Sequence, residues 1–170
     1  EMSIPAIFRV LIITLSDRAS RGEYRDLSGP RAEERLIGFF ELQNWKYTIE
    51  RRVIPDETDT LRALIEESAR NYDLVFTTGG TGIGPRDITV DTVKPLLDKE
   101  IPGIMEYIRV RYGTEKPNAL LSRGVAGIRG NTLIFTLPGS LKAVDEYLDE
   151  IARSLAHAIY ILHVEDRHVK

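Results

Sequence analysis

The chain has no cysteine, which excludes disulfides and thiolate metal sites. Histidine is nearly as scarce. His157, His163 and His168 lie in or after the last amphipathic segment, fit no metal-ligand spacing, and read as surface or packing residues. Positive charge is not in excess: the net charge is −3 over 170 residues. Nothing global therefore attracts nucleic acid or an anionic membrane, and an anionic ligand has to be held by local groups. No apolar run approaches the roughly 20 residues that cross a bilayer. The first residues, Glu1-Met2-Ser3, carry no signal-peptide pattern, so cytoplasmic residence is the expectation. Glu1 ahead of Met2 reads as a cloning remnant and is set aside. Repeats, low-complexity stretches and linkers are missing too, which leads to one domain over 5–164 with residues 1–4 and 165–170 as flexible ends.

What is present is an alternation of apolar strands and amphipathic helices. Ile7 to Leu15 is a continuous apolar run that suits a central strand. A polar segment follows, and Ser28-Gly29-Pro30 starts a helix with Ala32, Leu36, Phe39 and Phe40 on one face. Tyr47 to Ile54 reads as a second strand. Pro55-Asp56-Glu57-Thr58 opens a helix carrying Leu61, Leu64, Ile65 and Ala69. Leu74 to Thr78 is the third strand. Thr89 to Leu97 and Gly103 to Tyr112 read as helices, the second with Ile104, Ile108 and Tyr112 on one side. Two short strands flank Arg129-Gly130-Asn131 as a hairpin. The last helix has the cleanest period, Leu141, Val144, Leu148, Ile151, Leu155, Ile159 and Leu162, a core stripe with a subunit contact as the alternative. The fold class is α/β, a three-layer α/β/α sandwich with a mostly parallel sheet and one antiparallel hairpin strand. In such sheets ligands bind at the carboxyl ends of strands, so the turns after Leu15, Ile54, Thr78 and Leu137 are expected to converge on one cleft.

The densest chemical signal is Thr77-Thr78-Gly79-Gly80-Thr81-Gly82-Ile83-Gly84-Pro85-Arg86-Asp87, directly after the third strand. Three glycines in four positions remove the Cβ atoms that would keep backbone N–H groups from a ligand. An Arg and an Asp close the turn, which suits a phosphorylated ligand with a metal ion. A tight turn needing positive φ is the structural alternative. A Walker A loop is excluded because no Lys follows Gly82 or Gly84. The dinucleotide fingerprint fails as well, since Gly80, Gly82 and Gly84 are evenly spaced and follow the third strand rather than the first.

This segment resembles the signature of the molybdopterin adenylyltransferases, the MogA-like and MoaB-like proteins and the G domain of gephyrin. The resemblance continues through Ser16-Asp17-Arg18, Ile54-Pro55-Asp56-Glu57, Ile101-Pro102-Gly103, Leu121-Ser122-Arg123, Gly127-Ile128-Arg129-Gly130 and Leu137-Pro138-Gly139-Ser140, in order, over about Val10 to Leu162. Val90 stands where many relatives have proline.

The resemblance implies the molybdopterin-binding fold and a step of molybdenum cofactor biosynthesis. In that step ATP and molybdopterin give adenylyl-molybdopterin and pyrophosphate, with magnesium as cofactor. It also implies a homotrimer and hand-over to a molybdenum-inserting protein. Such transfers rest on positioning and charge neutralisation rather than on a covalent nucleophile. Asp56 and Asp87 match the family's acidic, catalytic positions. Asp87 takes the metal in this reading because hard oxygen ligands suit magnesium, and the division of labour between the two stays open. Each is also a plain helix N-cap candidate. Thr78, Gly79, Gly80, Thr81 and Gly82 match the phosphate-binding turn, and Ser122 and Arg123 the molybdopterin segment. Pro138, Gly139 and Ser140 sit at a helix N-terminus that favours anions, with Ser140 equally a simple cap. Ser16 and Asp17 end the first strand as further contacts. Arg18, Arg86, Arg129 and Lys142 are available to offset the acidic balance. Two other classes compete: a molybdopterin-binding or assembly module without catalysis, and, more distantly, a nicotinamide-dependent oxidoreductase.

Overall fold

The computed structural model describes residues 3–164. The segment 165–170, expected to fray, and His168 within it lie outside the described residues. Six strands form one sheet: β1 (Ile7–Leu15), β2 (Lys46–Ile54), β3 (Leu74–Thr78), β4 (Lys99–Glu100), β5 (Ala126–Arg129) and β6 (Thr132–Leu137). The order is β2-β1-β3-β6-β5-β4, parallel from β2 to β6, with β5 antiparallel to both of its neighbours, β6 and β4. The expected hairpin is β5–β6, turning at Gly130 with φ +58°. The two-residue β4 is a strand that sequence reading did not anticipate.

Alternation along the strands sorts side chains onto two faces. Phe8, Val10, Ile12, Leu74, Phe76, Leu133 and Phe135 face one core, closed by α2 (Ser28–Gln43), α5 (Pro102–Glu115) and α6 (Leu141–His163). Leu11, Ile13, Val75 and Ile134 face the other, closed by α3 (Thr58–Asn71) and α4 (Thr89–Val93). This is the expected three-layer arrangement. The stripe on α6 is core from Val144 to Ile159, whereas Leu141 is exposed at its start. Ile4, ahead of β1, packs against the first core.

Local chemistry sets the element ends. The helix expected over Thr89 to Leu97 ends at Val93 and continues as a 3₁₀ turn, Lys94–Leu96. Pro95 has no N–H to give to an α-helical carbonyl, so the tighter turn replaces the regular one. A four-residue helix, α1 (Asp17–Ser20), lies inside the polar segment after β1, capped by Ser16 Oγ, which accepts from the Ala19 amide at 3.1 Å. Both sheet edges are blunt. β2 exposes Lys46, Glu50, Arg51 and Arg52 along its length, and β4 is two residues long.

Candidate active site

β1 and β3 are neighbours in the sheet although β2 lies between them in sequence. The chain leaves β1 outward to β2 and returns past it to β3, with α2 on one face and α3 on the other. A crevice opens at that reversal, beyond the carboxyl ends of the strands. Three loops meet there backbone to backbone. Gly79 has φ +91°, and a Cβ on it would lie 2.6 Å from the Leu15 carbonyl oxygen. A Cβ on Gly139 would lie 3.4 Å from the Gly79 Cα. Gly80 has φ +73°, and its missing side chain leaves room for Thr89, whose hydroxyl donates to the Gly79 carbonyl at 2.9 Å. Positive φ is thus a real requirement of this turn, and it falls on Gly79 and Gly80 alone within it.

The amides divide into two groups. The Gly79 N–H, matched by sequence to a phosphate donor, donates to the Leu137 carbonyl at 2.9 Å. It extends the β3–β6 ladder by one rung and is not free for a ligand. The amides of Gly80, Thr81 and Gly82 have no acceptor among the described residues. They form the open part of the turn. Asp87 closes it: its Oδ2 accepts from the Gly84 amide at 2.9 Å and lies where a Cβ on Gly82 or Gly84 would crowd it, at 2.8 and 2.9 Å. The cap alternative for Asp87 fails, since Ile88 holds the N-cap position of α4 and no side chain caps that helix. It fails for Asp56 as well, because Glu57 is the N-cap residue of α3, again without a side-chain cap bond.

Asp56 is instead locked to Asp17. The Asp17 amide donates to Asp56 Oδ2 at 3.1 Å, and the Asp56 amide donates to Asp17 Oδ1 at 3.0 Å. Arg86 lies over this pair, with Nε and Nη2 on the Asp17 carboxylate at 2.8 to 3.1 Å and Nη2 on the Asp56 carbonyl at 3.1 Å. The Asp56 amide, followed by Arg86, holds the Asp17 carboxyl below its ordinary value. Asp56 goes the other way. Burial pushes it above 3.8, and the carboxylates of Asp17 and Asp87 add to the rise, against the Asp17 amide and Arg86. The folded chain therefore holds the Asp56 proton more tightly than the unfolded chain, and that advantage is lost as pH rises through the raised value. Asp56→Asn, which never ionises, should gain thermal stability relative to wild type between pH 3.8 and neutrality. A difference in melting temperature that stays flat across that range would rule out the raised value.

The other predicted residues fall around cavities on the α2 and α6 side. Ser16, Thr78, Gly79, Gly139 and Ser140 line a cavity of about 380 Å³. The Thr78 hydroxyl is buried beneath it and bonds to the Ser28 hydroxyl at 2.9 Å. Ser122, Pro138 and Ser140 line a second cavity of about 210 Å³ on the far side of the Pro138–Ser140 segment. Tyr147, whose phenol is pushed up by burial, donates to Ser122 Oγ there at 2.9 Å. Ser140 is the N-cap of α6, accepting from the Ala143 amide at 3.2 Å. Arg123 does not join Ser122. Its fork grips Asp91 at 2.6 and 3.1 Å, and it lines a third cavity of about 190 Å³. The turn after β2 meets the site through Asp56 and Asp17, not through the large cavity. Arg129 donates to the Leu96 carbonyl, away from these loops. Sequence reading missed Thr14, Tyr24, Asp26 and Ser28, all in the wall of the large cavity. The available signal was an acidic residue two positions ahead of a helix start, Asp26-Leu27-Ser28-Gly29.

Compared with known proteins, residues 11–157 match the family described as "Probable molybdopterin binding domain". The chain is 38% identical to gephyrin of Dictyostelium discoideum over 89% of its own length. It is also 38% identical to the molybdopterin adenylyltransferase of Pyrococcus furiosus, covering 91% of both chains. Among solved structures, the molybdopterin biosynthesis enzyme MoaB of Thermus thermophilus superposes with a TM-score of 0.81 at 39% identity, covering 91% of this chain and 96% of that one. The chain spans 22% of the length of gephyrin and 25% of the Drosophila melanogaster molybdenum cofactor synthesis protein cinnamon.

Proposed function

From the premise that this chain belongs to the molybdopterin-binding domain family, we propose that it adenylylates molybdopterin in molybdenum cofactor biosynthesis. The terminal phosphate oxygen of the pterin attacks the α-phosphorus of ATP, the bond from that phosphorus to the bridging oxygen breaks, and pyrophosphate leaves. The observation that carries this reading is the row of open amides at Gly80, Thr81 and Gly82 beside the Asp87 carboxylate. Backbone donors fixed by a glycine turn neutralise phosphate charge without reorganising, which is the main demand of phosphoryl chemistry. No side chain there is a covalent nucleophile, and none is needed.

Magnesium fits this donor set. Burial raises Asp56, and the carboxylates of Asp17 and Asp87 add to that rise, a contribution that a cation would relieve. No cluster of three or more metal-binding side chains exists among the described residues. That suits an ion held through one or two carboxylates and the substrate's own phosphates. Asp87 would hold it, with Asp56 as the second acidic group; when bound, the ion supplies charge neutralisation at the triphosphate. Ser122, Pro138 and Ser140 would receive the pterin side. A homotrimer, cytoplasmic residence and hand-over to a molybdenum-inserting protein belong to the same reading. The longer gephyrin and cinnamon chains support the hand-over, and no helix among the described residues is long and apolar enough to cross a membrane.

The test is direct. The protein is incubated with ATP, magnesium and molybdopterin, and the product is separated by chromatography. Adenylyl-molybdopterin with equimolar pyrophosphate is expected. Folded protein that yields neither rejects the activity, and pterin binding without magnesium-dependent ATP binding would replace it with a binding module.

A further inference from the structure

Tyr147 differs from the other buried residues of α6. Val144, Leu148, Ile151, Leu155 and Ile159 are aliphatic, whereas Tyr147 carries a hydroxyl out of the same core to Ser122 Oγ at 2.9 Å. A buried phenol needs a partner, and among the described residues Ser122 is its one partner.

That sets the direction of the bond. If Ser122 donated to the phenol, the phenol proton would have no acceptor in the protein, a costly arrangement. Burial also pushes the phenol pKa up, so the proton stays in place. Tyr147 therefore donates and Ser122 Oγ accepts. The serine keeps its own proton for the 210 Å³ cavity that both residues line.

The backbone around Ser122 is tied at three points. The Ser122 amide donates to the Ala119 carbonyl at 3.4 Å, at the end of a 3₁₀ turn, Pro117–Leu121. Arg109 Nη1 donates to the Gly124 carbonyl at 2.9 Å. The Arg123 amide donates to the Thr81 carbonyl at 2.8 Å, which joins this segment to the glycine turn. With the main chain held, the freedom left at Ser122 is the rotation of its hydroxyl, and Tyr147 removes it.

The other polar groups of the cavity lean the same way. Ser140 Oγ accepts from the Ala143 amide, so it too has a proton to give. Arg109 borders the cavity as a cation, while the acidic Glu146 is engaged by Lys116 at 2.9 Å. Ile108 and Pro138 add apolar wall. Such a space suits a flat ring that presents a hydrogen-bond acceptor.

We propose that Tyr147 is a positioning residue for the pterin substrate: it fixes the Ser122 hydroxyl as a donor, so the cavity selects a ring with an acceptor at that point over one with a donor. The proposal rests on the molybdopterin reading of this cavity.

Fluorescence titration of molybdopterin into wild type, Tyr147→Phe, Ser122→Ala and the double variant tests it, with Mg-ATP titrated in parallel. Tyr147→Phe keeps the ring and its packing, so its melting temperature should stay near wild type. It should bind molybdopterin about fivefold more weakly, and Ser122→Ala about tenfold, the scale of one hydrogen bond. Mg-ATP affinity should not change in either. The double variant should lose no more than Ser122→Ala alone, because Tyr147 acts only through that hydroxyl. Wild type should also prefer pterin to 2,4-diaminopteridine, which replaces the ring carbonyl by an amino donor. Tyr147→Phe should narrow that preference, since its serine is free to turn and accept. Losses that multiply in the double variant mark a packing role and overturn the proposal. Unchanged molybdopterin affinity of Tyr147→Phe, an equal fall in Mg-ATP affinity, or a wild type without the ring preference overturns it as well. A Tyr147→Phe chain that loses its melting transition does the same, because the phenol is then structural. Wild type that binds no molybdopterin removes the underlying reading, a result distinct from variants that match a binding wild type.

Discussion

Asp87→Asn is expected to slow adenylyl transfer by about a hundredfold or more, the scale on which losing one preorganised electrostatic group is felt, while leaving the fold intact. The structural half of this expectation is specific. Asp87 Oδ2 accepts one hydrogen bond, from Gly84, and asparagine offers a carbonyl oxygen in the same place. No helix cap is lost, because Asp87 caps none. What disappears is negative charge facing the open amides of Gly80 to Gly82. If that charge holds the cation, the magnesium concentration needed for half-maximal rate should rise along with the loss of turnover. Steady-state rates over a magnesium series, together with a thermal melt, check both. A variant that turns over near wild-type rates removes Asp87 from the mechanism; one that loses its melting transition shows that the residue is structural.

Gly80→Ala should be the more damaging substitution, since it attacks turn and fold together. The position has φ +73° and faces Thr89. An alanine there is strained by about 1–3 kcal/mol, and its methyl displaces the Thr89 hydroxyl from the Gly79 carbonyl, a bond of 2.9 Å. The amides of Gly80 to Gly82 then lose their common direction. The melting temperature should fall by several degrees and ATP binding should be lost from the protein that remains folded. Gly103→Ala is the control, because nothing lies within 4 Å of its missing Cβ and its φ is not positive. It should leave binding unchanged and stability equal or slightly higher. Equal behaviour of the two variants would show that the turn tolerates a side chain.

The parts of the molecule legible in sequence are those written in local pattern. The apolar runs of β1 and β3, the 3.6-residue stripe from Val144 to Ile159 and the hairpin at Gly130 each depend on neighbours within one element. The glycine turn was legible for the same reason: a missing Cβ is a property of the residue itself. What escaped depends on partners far away in the chain. Whether Gly79 offers its amide to a ligand is decided by Leu137, fifty-eight positions on, a separation visible only after β6 is placed beside β3. Arg123 reads as a phosphate fork until Asp91 is found beneath it. Asp26 looks like one more polar residue between β1 and α2 until Thr14, Ser28 and Thr78 gather around it from three elements. β4 escaped because two residues are too few to show any period. The 3₁₀ turn at Lys94–Leu96 was within reach, since Pro95 marks it plainly.

The blunt rims of the sheet disfavour edge-to-edge pairing between copies of this chain. β2 guards its nine-residue edge with charged side chains and β4 presents barely a single repeat, so neither rim invites a foreign strand. Exposed apolar side chains lie instead on the helical flanks, among them Val110, Leu120 and Leu121. Leu120 and Leu121 run directly into Ser122 and Arg123, so a substitution on that flank is read against the pterin side as well as against association.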